Sequence, residues 1–476
     1  MSTVISMSAR APLTLVAWDA PDPEAAFERL RGRRGLFWLD SSRRGPGGGR
    51  YSVMGCEPFS VFRSRGSEWS VERQGCPTER GRGDPLGELE RMLLVYQVDG
   101  DAEGPVPFRC GAVGYLGYGF GAQVEPAGGG EPAGPLDPPD AHWAWHDAAA
   151  VWDHGSGRAW LVGAGWRRPP AAAIAELAGW LAGAGSPPAV PPPPAGEFQS
   201  DFTREGFLEA VGGVRERIAA GEIYQMNLAQ RFSGPLSEDP IQLYRRLRRL
   251  NPSPMSAYLD AGDCAVLSSS PERFLSLSNK RIRTFPIKGT RPRGETAEED
   301  ARLRRELVAS AKERAELLMI VDLLRNDLGR VSRFGSVRVR RLHDLETFAT
   351  VHHLVGEVEG EVLPGVGPSA LLRAVFPGGS ITGAPKIRAR RIISEVEPVP
   401  RGVFSGSIGY WSACGRVDLN IAIRTIVCHG GRASFHVGAG IVWDSDPASE
   451  FAETLAKGRA LLAALGGRPW PGEARR

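Results

Sequence analysis

From position 13 to about 168 the apolar residues fall in brief runs broken by turn formers, the pattern of short strands. Residues 36–42 read as a strand running into a polar turn, Leu39-Asp40-Ser41-Ser42, and residues 51–56 as the next strand. The glycine-laced stretch from Cys110 to Tyr118 resembles a dinucleotide loop at first sight. However, Gly111, Gly114 and Gly117 miss the GxGxxG spacing and no clear βαβ unit surrounds them, so a tightly packed strand or bend accounts for it better. Residues 121–140, rich in Gly, Pro and acids, read as a loop, and 171–182 as a short helix around Ile174, Leu177 and Leu181. Six prolines between 187 and 194 favour an extended polyproline segment over a packed core. The main boundary is therefore expected there: an N-terminal region 1–182, a linker 183–197, a catalytic unit 198–466 and a tail 467–476.

Past position 198 the periodicities lengthen. Residues 204–220 carry Phe207, Val211, Val214 and Ile218 near helical spacing, and 223–232 alternate like a half-buried strand. Another strand, 265–269, runs into Pro271-Glu272-Arg273-Phe274. The span 298–328 is strongly helical with a second start at Ser310. Residues 420–428 and 433–437 make a hairpin across His429-Gly430-Gly431. The last helix, 447–465, has Asp446 as its N-cap and Pro447 at its first position.

Composition narrows the function classes. A 42% hydrophobic and 24% charged chain of 476 residues is ordinary for a globular protein, and a net charge of +3 is too small to argue for nucleic acid. No run of about 18 apolar residues suggests a membrane span. The six cysteines form no CxxC pair and no secretion signal is apparent, so reduced thiols in the cytoplasm are expected.

Only five of the 58 basic residues are lysines: Lys280, Lys288, Lys312, Lys386 and Lys457. Where a cation merely solvates a surface this chain uses arginine, so a retained lysine suggests chemistry that a guanidinium cannot do, such as losing its proton to become a nucleophile or base. Lys288, in Phe285-Pro286-Ile287-Lys288-Gly289-Thr290, stands between an apolar run and a glycine turn. On this segment alone a solvated strand-end lysine is the blander and commoner account.

Two helical stretches carry carboxylates three apart, Glu313 with Glu316 and Glu450 with Glu453, so each pair lies on one helix face. If the helices face each other, four carboxylates surround one point and call for a hard cation such as Mg²⁺. Glu313 and Glu450 are equally well explained as first-turn capping acids; Glu316 and Glu453, one turn deeper, read better as a site. The glycine-rich loop from Phe376 to Lys386 can hold an anion on its amides but is not a Walker loop. The Gly438-Ala439-Gly440 segment reads as a close-approach turn. Arg424, Tyr410 and Lys457 add donors suited to a substrate with two carboxylates.

These residues resemble the chorismate-utilising enzymes over nearly the whole chain, most strongly through GEIYQMNLAQRF, SSSPERF, PIKGTRPRG, ELLMIVDLLRNDLGRV, FPGGSITGAPK, IAIRTIV and GAGIVWDSDPASEFAET. The resemblance implies an α+β fold with large antiparallel sheets in two packed sub-domains flanked by helices. It implies direct Mg²⁺ ligation by Glu316 and Glu453, with Glu313 and Glu450 acting through waters. It also implies substrate contacts from Gly289, Thr290, Tyr410, Arg424, Gly438, Ala439, Gly440 and Lys457, and an active-site role for His353, which would otherwise read as a core or strand histidine.

Gln225 stands where the water-using members carry a lysine base, which argues against hydroxylation at C2. Lys288, where anthranilate synthases typically read alanine, matches the branch called aminodeoxychorismate synthase component I. The implied reaction is amination of chorismate at C4 to 4-amino-4-deoxychorismate, on the way to 4-aminobenzoate. Lys288 would be the nucleophile and Glu272 the acid. The alternative is amination at C2 with pyruvate release, the anthranilate synthase reaction. No Cys-His-Glu amidotransferase constellation is found, so the resemblance implies ammonia from a separate glutamine amidotransferase subunit. It further implies a possible tryptophan pocket around Asp40, Ser41 and Ser42.

Overall fold

In the computed structural model, which describes residues 10–43, 49–99, 104–128, 137–183, 185–347 and 351–468, the first strand-and-turn pattern becomes the strand Phe37–Asp40. Its alternation sends neighbours to different layers. Phe37 packs between two sheets, whereas Trp38 faces outward against Phe27 and Tyr244, with ring centroids 4.9 and 5.8 Å away. Burying such a side chain contributes about 1.5–3 kcal/mol, which fixes the register of the strand.

Two twelve-stranded antiparallel sheets form the frame. Edge to edge, the first runs Leu13–Trp18, Arg158–Ala164, Ala148–Asp153, Tyr51–Gly55, Phe37–Asp40, Met255–Asp260, Cys264–Ser270, Thr425–His429, Arg432–Ile441, Gln225–Pro235 and Gln199–Ser200, with Gly383–Ala384 added beside Gln225. The second runs Ile287–Pro292, Val351–Glu361, Arg281–Thr284, Arg273–Ser278, Val417–Asn420, Ser407–Ser412, Gly111–Leu116, Ala141–His146, Ser60–Arg65, Glu68–Arg73 and Glu79–Arg82, with Arg338–Thr347 also pairing Val351–Glu361. An apolar layer that includes Phe37, Val151 and Val266 from one sheet and Val113, Tyr115 and Ile408 from the other lies between them. Helices cover the outer faces. The architecture is the α+β arrangement that the resemblance implies.

Several expectations change. The segment 183–197 joins the halves in sequence but does not divide them in space, because both sheets take strands from either side of it. The stretch 420–428 is not one hairpin arm: Asn420 ends a strand of the second sheet, and Thr425 begins one of the first. The chain crosses between sheets in the residues between, with Arg424 in the left-handed region at φ +52°. Gly438-Ala439-Gly440 is no turn either; it lies inside Arg432–Ile441, paired with Ala229, Leu228 and Asn227. Within the expected loop 121–140, Gly121–Val124 is a short helix, and 129–136 lie outside the described residues.

The helical expectations hold more closely. Ala297–Ala309 and Ala311–Gly329 meet at Ser310, whose hydroxyl accepts from the Glu313 amide. Pro447–Ala464 is capped by Asp446. The glycine-laced stretch is the strand Gly111–Leu116, so tightly packed that a Cβ on Gly114 would stand 1.9 Å from the His142 carbonyl. No disulfide forms among the described residues, and burial pushes the Cys56 and Cys264 thiols up to about 12. Among the described residues no helix is long and apolar enough to cross a membrane.

Candidate active site

The site sits at the seam where the chain passes from one sheet to the other. Glu272 occupies one crossing, between Ser270 and Arg273; Arg424 occupies another, just before Thr425. Backbone bonds lock the two crossings together, Ile421 N donating to Glu272 O and Ser269 N to Arg424 O, both 3.0 Å.

Lys288 reaches this seam from the strand Ile287–Pro292. The register against Val351–Glu361 slips between Lys288, opposite Leu354, and Thr290, opposite His353. Gly289 takes up the slip at φ +71°, and a Cβ there would stand 2.9 Å from Leu307 and 3.1 Å from Glu313 Oε2. Only glycine meets both conditions at low strain. The lysine Nζ lies 3.4 Å from the Ser380 carbonyl, and the Ser380 hydroxyl donates to Glu272 Oε1 at 2.8 Å. One residue thus touches both the amine and the acid.

Glu272 is 6% exposed, and that burial pushes its carboxyl up to about 7 against the opposing pull of Ser380, Lys288 and Lys457. A group with that affinity holds its proton for an appreciable fraction of the time near neutrality, as a general acid must. His353 is held in the opposite sense: burial lowers it to about 4, against the Gly289 carbonyl 3.3 Å from its Nδ1. A carbonyl can only accept, so Nδ1 carries the hydrogen and the Thr290 hydroxyl, 2.9 Å away, accepts it too.

The acidic helices face the same space. Glu316 is pushed up by burial and by Glu313 and Glu453, against Lys288 and Lys312. Glu450 is likewise raised by burial, against the Ser445 hydroxyl that donates to its Oε1 at 2.7 Å. Burial also raises Glu453, but Lys457, 2.6 Å away, and then Lys288 and Lys312 outweigh it, and the net direction is down. Lys312 bridges the two helices, 4.0 Å from Glu450. Three of the chain's five lysines therefore converge on these carboxylates, supplying positive charge where a cation is expected.

The donor set is of the hard-oxygen kind that suits Mg²⁺. Glu316, raised partly by its carboxylate neighbours, has the charge deficit that a cation would relieve. Glu313 instead pairs with Arg291 at 3.4 Å, and Glu450 with Ser445. Among the described residues no three such ligands stand together. Glu453 is likewise paired, with Lys457 at 2.6 Å, so a cation held between Glu316 and Glu453 would have to displace that lysine.

Arg424 is withdrawn from water, and burial lowers it to about 10 with only partial relief from Glu453; its Nη1 donates to the Lys457 carbonyl at 2.5 Å. Lys457 also holds the Gly438 carbonyl at 2.9 Å, so the helix, the arginine and the Gly438–Gly440 strand segment are tied into one wall.

Not every expected residue arrives. Strand alternation in Ser407–Ser412 turns Tyr410 into the layer between the sheets, where it packs on Phe108 at 5.3 Å and lines a separate cavity of about 290 Å³ with Arg273 and Asp418. Asp40 and Ser41 line that same cavity, although Asp40 is already held by Arg248 at 2.7 Å; Ser42 bonds Ser253 and Ser256 instead. In the glycine-rich loop, Lys386 is tied to Asp327 at 2.6 Å and the Val375 carbonyl at 3.2 Å, and the helix starts after Pro385, at Lys386. The loop contributes Ser380, which the motif reading passed over, and it positions Asn227 by accepting from its Nδ2 at 3.0 Å.

This geometry, a lysine and a buried acid beside paired glutamates, falls inside the span from 39 to 463 that matches the chorismate binding enzyme family. The chain is a chorismate binding enzyme. It is 39% identical to aminodeoxychorismate synthase component 1 of Bacillus subtilis, over 92% of this chain and 93% of that protein. It is 40% identical to anthranilate synthase component 1 of Thermus thermophilus, over 94% and 96%. Among solved structures, anthranilate synthase component I of Streptococcus pneumoniae superposes with a TM-score of 0.76 at 32% identity, covering 94% of this chain and 98% of that one. Overall identity does not separate the two named activities, so the choice between them rests on individual residues of this chorismate binding enzyme.

Proposed function

We propose that this enzyme aminates chorismate at C4, giving 4-amino-4-deoxychorismate, and that Lys288 is the nucleophile of a two-step displacement. The observation that carries the reading is Ser380, whose carbonyl meets the Lys288 amine and whose hydroxyl meets the Glu272 carboxyl. In the first step the neutral amine bonds to C2 while Glu272 gives its proton to the departing 4-hydroxyl, which leaves as water; the two ring double bonds move by one position each. Hydroxide is a poor leaving group, so the acid is needed. In the second step ammonia bonds to C4, the double bonds return, the C2–Nζ bond breaks and the lysine leaves as a neutral amine. The added nitrogen yields one proton to the Glu272 carboxylate, which restores the starting state.

Two displacements place the amine at C4, whereas a single direct attack would place it at C2. Arg424 and Lys457 are suited to hold the substrate carboxylates. Mg²⁺ held by Glu316 and Glu453 would neutralise a substrate carboxylate and orient the ring. His353, neutral and fixed by Gly289 and Thr290, supports the lysine strand.

Ammonia is assigned to a separate glutamine amidotransferase, in keeping with the "component 1" in the name of the Bacillus subtilis relative. The cavity between the sheets is the place we assign to tryptophan. The product would serve 4-aminobenzoate formation, for folate or a specialised pathway.

The test is Lys288→Ala, supplied with chorismate, Mg²⁺ and ammonia. Loss of C4 amination, or a switch to anthranilate, supports the reading; full retention of 4-amino-4-deoxychorismate formation excludes the lysine as nucleophile. The 40% identity to anthranilate synthase favours a second reading, direct amination at C2 with pyruvate release. Anthranilate as the wild-type product would establish it.

A further inference from the structure

Arg273 follows the acid Glu272 in sequence but turns the other way. Glu272 meets Ser380 on the side of Lys288, whereas Arg273 lines the 290 Å³ cavity between the sheets. The strand Arg273–Ser278 sets this up, because its register against Val417–Asn420 slips between Arg273, opposite Asn420, and Leu275, opposite Leu419. A slip of that kind re-aims the side chains beside it. Phe274 is buried against Phe376, ring centroids 6.2 Å apart, while Arg273 reaches Asp418 in the cavity wall.

The guanidinium makes two contacts there. Its Nε and Nη2 donate to the two Asp418 oxygens at 2.8 and 3.3 Å, a fork onto the strand Val417–Asn420, whose next residue, Ile421, bonds the Glu272 carbonyl. Its Cζ lies 5.3 Å from the centre of the Phe285 ring. Phe285 and Pro286 interrupt the ladder between Arg281–Thr284 and Ile287–Pro292, both of which pair with Val351–Glu361. Proline offers no N–H, so fewer backbone bonds fix this break, and Lys288 lies two residues beyond it. The Ile287 amide, at the start of that strand, also pulls on the Glu272 carboxyl.

We infer that Arg273 is a positioning residue that holds the acid Glu272 and the nucleophile Lys288 in one geometry from the cavity side. Through the fork on Asp418 it fixes the crossing that carries Glu272; through Phe285 it fixes the break that precedes Lys288. The inference rests on the amination reading above for the roles of those two groups. A guanidinium suits the task, since it is always charged, flat and forked, whereas a lysine supplies the charge but neither the fork nor the flat face. Glu272 gives up its proton in the step in which Lys288 bonds to the ring, so their relative placement governs the reaction of bound substrate. Loss of Arg273 therefore acts on kcat and leaves KM for chorismate alone.

The experiment measures kcat and KM for chorismate with the full chain, Mg²⁺ and ammonium salt, below the melting temperature of each variant. Arg273→Met combined with Asp418→Asn removes both charges, so neither is left unpaired in the cavity wall. This double variant should lose about 10- to 100-fold in kcat while KM changes less than about twofold. Arg273→Lys keeps the charge and should recover part of the loss, leaving kcat about three- to tenfold down. Arg246→Lys is the control for a merely structural ion pair: Arg246 forks onto Glu238 at 2.8 and 3.0 Å and touches neither segment, so its kcat should stay within about twofold of wild type. Near wild-type kcat in either Arg273 variant, a rise in KM matching the fall in kcat, or an equal fall in Arg246→Lys overturns the inference. Total aminated product is scored whichever carbon bears the nitrogen, since the 4-hydroxyl must leave in either case. Anthranilate as the product would thus refute C4 amination while the kcat comparison still decided Arg273.

Discussion

Replacing Glu272 by Gln tests the acid through both stability and rate. Burial holds this carboxyl at about 7 in the folded chain, against 4.5 for an ordinary glutamate. That difference corresponds to a preference of about 3 kcal/mol for the protonated form. The sign follows from proton binding: the folded state holds this proton more tightly than the unfolded chain. The stabilising contribution is complete below pH 4.5 and is lost as pH rises through about 7. A glutamine stays neutral throughout and can still accept from Ser380. The variant should therefore gain on wild type between pH 4.5 and 8, by up to about 3 kcal/mol, read as a widening gap in urea midpoint. Turnover should fall by about 10²–10⁴, because the 4-hydroxyl then leaves without a proton. Wild-type kcat/KM should decline above pH 7 on the same titration. The reasoning is refuted if the variant keeps near wild-type turnover, or if its stability relative to wild type does not change across that pH range.

Glu316→Gln should raise the Mg²⁺ concentration needed for half-maximal thermal stabilisation by at least about tenfold, without lowering stability in the absence of metal, because it removes a repelled, buried charge; an unchanged Mg²⁺ titration would remove Glu316 from the ligand set. Arg424→Met should raise KM for chorismate by about one to two orders of magnitude, since a charged bond to a carboxylate is lost, and an unaltered KM would place the substrate carboxylate elsewhere. Tryptophan should raise the melting temperature without chorismate present, through the 290 Å³ cavity, and the absence of any shift at millimolar concentration would reject that assignment.

Much of the architecture was legible because periodicity and capping are local. Ser310 and Asp446 mark helix starts through bonds to residues three positions on, and the structure keeps both. What was not legible depends on where strands go after they end. Nothing local distinguishes a hairpin arm from a chain leaving one sheet for another, so Arg424 was read onto a strand when it lies at the crossing before one. The proline-rich segment reads as a boundary for the same reason: composition reports local stiffness, not the sharing of sheets by the two halves.

At the site, Lys288, Glu272, Glu316 and Glu453 could be singled out by scarcity, spacing or resemblance. That Tyr410 faces the layer between the sheets was not legible, because which side of a buried strand meets which neighbour is a tertiary fact. Ser380 was hidden inside a loop whose glycines drew attention to its amides.

The central claim is that a covalent bond to Lys288 precedes the entry of nitrogen. Wild-type enzyme held with chorismate and Mg²⁺, ammonia withheld, should be quenched and digested, and its peptides weighed. The account predicts an added mass of chorismate less one water on the peptide bearing Lys288, discharged when ammonia is supplied before the quench. An unmodified Lys288 peptide, from enzyme that turns over normally once ammonia is added, would contradict it.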